Sequence, residues 1–364
     1  MNIYQYMDQF GCYTFQEKPF NEVDSVIFAF LSYADFGGII EHNKLRLKDV
    51  GRMHLGLHKK EKNIVAVKEA TKMLNYMKDL NRYRDCMLYH YVYEANKEYQ
   101  FSAISIEYQK NHVYVSYEGT DQMISGWKEN FLLSYSFPTT THLKAIAYLN
   151  QHFTLPLKKL MVGGHSKGGN LALVASMCCN PLVRAKIDQI YNVDGPGLLD
   201  KEFRSKKFKR ILPRYHHMIP NESIVGILLY SPKDQVVHAN MTGLIAHNIA
   251  FWEIQGDHFV KDRLSSFSKE LREGLLSYLD CHSEEELKVV IQNLDKVCQK
   301  ANVTSLLEFK EDTRKIVDFI KACSSLNMEA RNMLYDLLNI VIRAIGDSKH
   351  RDFMEFVKRF KLDI

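Results

Sequence analysis

The 364-residue chain has no run of about 20 apolar residues, the length needed to cross a bilayer, so no segment is expected to span a membrane. It has no C-x-x-C or C-x-x-H spacing, and its cysteines (Cys12, Cys86, Cys178, Cys179, Cys281, Cys298, Cys323) are odd in number. Structural zinc is therefore not expected, and free, mostly buried thiols fit a reducing cytosol. The stretch Met1 to Asp24 is polar and aromatic, without a basic flank and apolar h-region, which predicts no signal peptide and a cytoplasmic location. There is no long basic run, and a net charge of +5 spread over this length is too weak to imply nucleic acid. There is no internal repeat, no low-complexity segment and no Pro/Gly-rich linker. What is present is a globular composition, 46% apolar and 25% charged, in a chain long enough for one large or two ordinary domains.

Along the chain, Phe20 to Tyr33 reads as a helix, and the spacing of Val65, Val67, Ala70, Met73, Leu74 and Met77 predicts helix over 63–95. Alternation at Phe101 to Tyr108 and at Val113 to Tyr117, split by Gln109 to His112, predicts a β-hairpin. A helix near 141–152, a strand at Leu160 to Val162, a helix from Gly169 and a strand from Ile187 to Val193 follow. This alternation argues an α/β layer with a largely parallel sheet. Ile211 to Met218, Ile224 to Tyr230 and Gln235 to His238 add strand-like pieces. From Asp262 the texture is helical, over about 284–300, 304–324, 327–346 and 350–361. Ser283 before Glu284, Glu285 and Glu286 looks like a helix cap with an acidic first turn. The tail reads either as a bundle packed on the core or as a separate interaction module, and the expected division is 1–275 and 276–364.

The most informative stretch is Gly164-His165-Ser166-Lys167-Gly168, a G-x-S-x-G spacing between an apolar strand and an apolar helix. A serine on a sharp strand-to-helix turn stands clear of the sheet, and glycines two residues away on either side allow strand and helix to approach. Such a serine needs a base, an acid to orient it, and donors for an oxyanion. The residues offer several candidates. Thr120, in Glu118-Gly119-Thr120-Asp121 at the mouth of a strand, and the N–H of Lys167 suit the oxyanion. The base is sought downstream among His216, His217, His238, His247, His258, His282 and His350, with His247 and His258 foremost. His165 is expected to point elsewhere. Asp194, Asp234 and Glu222 compete as the acid, and Asp194 stands at the C-terminal edge of the sheet, where sites of open α/β folds gather.

Together these residues resemble the lipase class 3 group of α/β-hydrolases. The run Val113 to Thr120 with Trp127 following, the elbow at Ser166, and Gly243 to His247 with Trp252 beyond are similar to that group's motifs. More closely, the chain resembles the bacterial lipase-like family called Mbeg1-like. The matching pieces are Pro19 to Asp24, Gly119 to Asp121 with Gly126 to Asn130, Gly163 to Asn170, Asn192 to Gly197 and Ser223 to Gly226. The resemblance implies an esterase or lipase-like hydrolase acting through Ser166, and it favours Asp194, which falls where some lipases carry their acid. Typical class 3 lipases carry the acid one strand later, near Glu222, and a catalytic histidine well past the region of His247, for which this sequence has no clear counterpart. Asn248 stands where the family is expected to have aspartate.

The expectation is an α/β-hydrolase fold with a mostly parallel central sheet, an N-terminal helical segment and a C-terminal helical extension. Ser166 is the expected nucleophile, with His247 as base, Asp194 as acid, Thr120 and Lys167 at the oxyanion, and no cofactor or metal. The expected substrate is a small acyl ester or lipid, with peripheral membrane contact and protein contacts through the C-terminal helices as further expectations. The rivals are a hydrolase-fold scaffold without turnover and an acyltransferase.

Overall fold

The computed structural model describes residues 1–41, 43–57, 65–96, 99–120, 132–155, 158–232, 234–303, 308 and 312–345. Asp121, the Gly126 to Asn130 piece with Trp127, His350 and the helical pattern at 350–361 lie outside the described residues.

The alternating segments form strands. β1 spans Leu45–Arg46, β2 Met87–Ala95, β3 Gln100–Gln109, β4 His112–Tyr117, β5 Lys159–His165, β6 Ile187–Val193, β7 Tyr215–Pro220 and β8 Asp234–Val237. They build one eight-stranded sheet in chain order. Pairing is antiparallel from β1 to β4 and parallel from β4 to β8, so parallel pairs are the majority. The β3–β4 hairpin turns through Asn111 at φ 63°, a left-handed conformation that asparagine tolerates.

Three stretches depart from their sequence patterns, the shortest being Ile211 to Arg214, where Ile211 ends a helix and Leu212–Arg214 is a 3-10 turn, so that the strand begins at Tyr215. The helix expected over 63–95 ends at Met77, and Met87–Ala95 is β2. Tyr89, Tyr91, Val92 and Tyr93 are aromatic or β-branched, and pairing with β3 overrides a helical spacing. Ile224 to Tyr230 is a series of turns with one bridge, Tyr230 to Leu198. Its Gly226 N–H is directed to the Asp194 carboxylate instead of a strand ladder.

The longer helices are α1 (Ile3–Phe10), α2 (Glu22–Leu31), α3 (Leu47–Leu57), α4 (Val65–Met77), α5 (Thr140–His152), α6 (Lys167–Cys178), α7 (Lys206–Ile211), α8 (Ser266–Cys281), α9 (Glu284–Lys300), α10 (Thr313–Cys323) and α11 (Met328–Ile345). Strand order that follows chain order has a consequence. Right-handed crossovers then put every connecting helix on one face. That face buries Val113, Val115, Leu160, Val162 and Ile190 against Ala145 and Leu149 of α5 and Leu171 to Met177 of α6. The opposite face, with Ile104, Ile106, Tyr114, Tyr191 and Met218, would otherwise be bare. The N-terminal helices cover it, through Ile3, Tyr6 and Met7 of α1, Val26, Ile27 and Phe28 of α2, and Ala70 and Met73 of α4.

α2 is fixed by a buried charge. Asp24 accepts from Arg82 Nε at 2.8 Å and Nη2 at 2.5 Å, and from the Tyr83 hydroxyl at 2.9 Å. Arg82 also donates to the carbonyls of Lys18 and Pro19, so the pair has the extra hydrogen bonds that a buried ion pair needs. At the other end, Ser283 caps α9 in a reciprocal capping box with Glu286. The tail helices share one apolar cluster with Ile219, Ile224 and Ile227 of the sheet domain, and position 275 lies inside α8.

Candidate active site

β5 ends at His165, α6 begins at Lys167, and Ser166 between them takes φ 59° and ψ −132°. For a residue with a Cβ this conformation costs on the order of 1–3 kcal/mol and persists only where the surroundings enforce it. They do so here. The Ser166 N–H donates to the Val193 carbonyl at 2.8 Å, and its own carbonyl accepts from Gly169 at 2.9 Å. A Cβ on Gly164 would stand 2.4 Å from the Gly168 backbone, and one on Gly168 would stand 2.1 Å from the Tyr117 carbonyl oxygen. Glycine is thus required on both sides of the serine by packing of the helix on the sheet.

The loop after β6 is shaped from the same elements. Asn192 Oδ1 accepts from Gly195 N at 3.0 Å, and Asn192 Nδ2 donates to Pro196 O. Asn170 on α6 donates to Gly197 O at 2.6 Å, and His142 Nε2 meets its Oδ1 at 2.7 Å. The Gly163 to Asn170 and Asn192 to Gly197 runs therefore interlock. Between them Asp194 sits at φ 46°, with its N–H on the Met218 carbonyl at 2.7 Å.

The Asp194 carboxylate is fully buried and saturated. Oδ1 accepts from Ser223 Oγ at 2.5 Å and Gly226 N at 3.0 Å, and Oδ2 accepts from His247 Nδ1 at 2.6 Å. A carboxylate accepts only, so Nδ1 of His247 carries a proton and Nε2 is the lone-pair nitrogen of the neutral ring. Among the described residues no hydrogen bond occupies His247 Nε2, and none joins it to the Ser166 hydroxyl. In unliganded sites such bonds are often long and tighten only with substrate bound.

His247 ends a 3-10 turn, Gly243–His247, entered through Gly243 at φ 59°. Trp252 Nε1 holds the turn by donating to Ala246 O at 2.8 Å, and Asn248 Oδ1 caps Ala250 N at 3.0 Å. His165 does turn out of the elbow, and it reaches His247. Its Nε2 lies 2.9 Å from the His247 carbonyl, the two rings are 4.3 Å apart at their centres, and its Nδ1 lies 3.0 Å from the Tyr33 hydroxyl. Burial pushes the His165 imidazole well below its ordinary pKa, so the ring is neutral.

Thr120, His165, His247, Asn248, Tyr33 and Phe30 line a small cavity of about 10 Å³, room for a single water. Gly119 lies against the elbow, since a Cβ there would stand 3.0 Å from Ser166 Cβ. Lys167 opens α6 beside Ser166, and its ammonium is held by the Gln100 carbonyl at 2.8 Å.

The other candidates lie elsewhere. Asp234 meets His217 Nδ1 at 2.8 Å and Arg272 at 2.5 Å. His258 is exposed beside Asp257, and no hydrogen bond joins Glu222 to His247 among the described residues. His216 meets Gln189, His238 pairs with Asp262, and His282 faces the Tyr278 carbonyl. Ser223 and Gly226 belong to a motif recognised in the sequence, but their role as donors to Asp194 was not readable there. Among the described residues no group of three His, Cys, Asp or Glu side chains is placed to hold a metal ion, and no helix is long and apolar enough to cross a membrane.

A strained serine at a strand-to-helix elbow, with a carboxylate–imidazole pair in the loops beyond the parallel strands of a mostly parallel sheet, defines an α/β protein with a hydrolase-like fold. The chain belongs to the Mbeg1-like family, whose sequence model matches residues 77–296. A comparison with curated proteins finds no match. Among solved structures the chain is similar to the crystal structure of M37 lipase, at 14% identity and a TM-score of 0.34, with 56% of this chain and 68% of that one covered.

Proposed function

We propose that the protein is a serine hydrolase that cleaves carboxylic esters through an acyl-enzyme on Ser166. His247 Nε2 takes the Ser166 proton as Oγ adds to the ester carbonyl. The tetrahedral oxyanion is held by the Thr120 and Lys167 N–H groups, and the alkoxide leaves with the proton from His247. Water then adds to the acyl carbonyl as His247 takes its proton, the acyl–Oγ bond breaks as His247 returns that proton to Ser166 Oγ, and a carboxylic acid and free Ser166 result. Asp194 holds the imidazole in the tautomer that leaves Nε2 basic, and stabilises the imidazolium that forms. The observation that carries the reading is the 2.6 Å bond from His247 Nδ1 to Asp194, a carboxylate already anchored by Ser223 and Gly226. Seven unpaired cysteines, several of them buried, suit a cytoplasmic enzyme.

The missing bond from the Ser166 hydroxyl to His247 favours one rival, a scaffold that kept the fold without turnover. Fluorophosphonate labelling separates them. The wild type should label, and Ser166→Ala and His247→Ala should not. Labelling that survives Ser166→Ala rejects the nucleophile.

A further inference from the structure

The geometry points to Tyr33 and His165 as positioning residues, a hydrogen-bonded brace that sets His247 and the Gly119 turn relative to Ser166. The inference rests on the ester-hydrolase reading above.

Two tethers act on His247 itself, while Trp252 holds the residue before it. Asp194 holds its ring, but a ring is oriented usefully only if its backbone is also held. That backbone ends a single 3-10 turn, and a turn this short has few hydrogen bonds of its own to hold it. The second tether is the His165 imidazole at 2.9 Å from the His247 carbonyl. A carbonyl only accepts, so His165 Nε2 carries the proton, and in the neutral ring Nδ1 accepts. The Tyr33 hydroxyl therefore donates to Nδ1 at 3.0 Å. Both ring nitrogens are thus used, and Tyr33 selects the tautomer that lets His165 hold His247. Phe30, 5.2 Å away and edge-on to the His165 ring, closes the packing from α2.

His165 is the covalent neighbour of the nucleophile. A shift of the strained elbow therefore carries the His247 backbone with it through one side chain. Tyr33 reaches a third part of the site. A Cβ on Gly119 would fall 2.1 Å from the Tyr33 hydroxyl and 2.6 Å from the His165 carbonyl oxygen. The turn that leads to Thr120 packs directly on the same hydroxyl. Nucleophile, base and oxyanion turn thus converge on one Tyr–His pair, supplied by the N-terminal helical layer and the elbow.

The test measures kcat and KM for a short-chain p-nitrophenyl ester, the fluorophosphonate inactivation rate, and thermal unfolding of the full chain. The variants are Tyr33→Phe, His165→Phe and His165→Gln. A misplacement of about 1 Å at a reacting group costs about 100-fold, so His165→Phe should lower kcat about 100-fold with KM little changed. Tyr33→Phe keeps the ring and should lose about 10-fold, within that same limit. His165→Gln presents an amide N–H toward the same carbonyl and should recover most of the loss, a rescue that a mere packing role would not produce. Wild-type kcat in both Tyr33→Phe and His165→Phe overturns the brace and leaves the hydrolase reading intact, as does equal loss in His165→Gln and His165→Phe. If His165→Phe does not fold, Tyr33→Phe decides alone by the same criterion. A wild type that neither labels nor turns over sinks the hydrolase reading and the brace together.

Discussion

Two aspartate–histidine pairs flank the loop after β6, and they have opposite endings. In one, His247 spends Nδ1 on Asp194 and no described group occupies its Nε2. In the other, His217 spends Nδ1 on Asp234 and Ser231, and its Nε2 faces the Gly195 carbonyl at 2.8 Å. The second carboxylate also binds Arg272 of α8 at 2.5 Å. The ingredients are alike, a carboxylate against a buried imidazole. The first pair leaves one ring nitrogen without a described partner, and the second uses both ring nitrogens and ties a tail helix to β8. A carboxylate beside a histidine is thus a weak sign of catalysis until the ring's far nitrogen has been traced.

The most severe way to break this comparison is to neutralise each aspartate in turn. Asp194→Asn keeps the volume but lets the amide favour the wrong tautomer of His247, and turnover should fall about 10⁴-fold. Asp234→Asn should leave ester turnover close to wild type while lowering the unfolding midpoint. Steady-state kinetics with a p-nitrophenyl ester and a denaturant titration read both. Exchanged outcomes would make Asp234 and His217 the working pair.

That experiment also marks how far the sequence could be read. The elbow was legible because strand, glycines and helix are contiguous, and the steric need for Gly164 and Gly168 is local. Asp194 was one of three carboxylates and His247 one of several histidines, because the bond joining them spans 53 residues. Ser223 and Gly226 were visible as a motif without a purpose, since only the fold brings them to Asp194. Tyr33 lies 132 residues from His165, in the turn after α2, and nothing in its sequence neighbours distinguishes it from the chain's other tyrosines. The sheet was readable where alternation was strict. It failed at Met87–Ala95, where a helical spacing was overruled by pairing, and at Ile224 to Tyr230, where apolar residues line turns.

A third aspartate sharpens the contrast. Asp24 pairs with Arg82, and both side chains are wholly inaccessible. A guanidinium stays charged at any ordinary pH and has no lone pair to offer, so this pair has no acid–base use and serves to seat α2 on the sheet. Removing one partner of a buried ion pair leaves the other uncompensated, at a cost of about 3–5 kcal/mol. Arg82→Met should lower stability by that amount in urea titrations. Because α2 leads directly to Tyr33, partial loss of labelling at Ser166 should accompany the destabilisation. A variant as stable as the wild type would mean that apolar packing alone holds the N-terminal layer.

The smallest expected effect concerns pH. Burial pushes the Asp234 carboxyl up, but the His217 hydrogen bond and charge, with Arg272, outweigh it and hold the pKa at about 2. An aspartate in the unfolded chain titrates near about 3.9. A group whose folded pKa is the lower one stabilises the fold above the unfolded value and loses that contribution as pH falls through the folded value. The contribution is about 2 kcal/mol, present in full above about pH 5 and fading between about pH 4 and pH 2. Asp234→Asn lacks it at every pH. Urea midpoints of wild type and variant should therefore differ most at neutral pH and converge toward the acid end. A gap that stays constant down to the acid end would mean that Asp234 acts through packing and neutral hydrogen bonds, and the second pair would then owe its closed form to shape instead of charge.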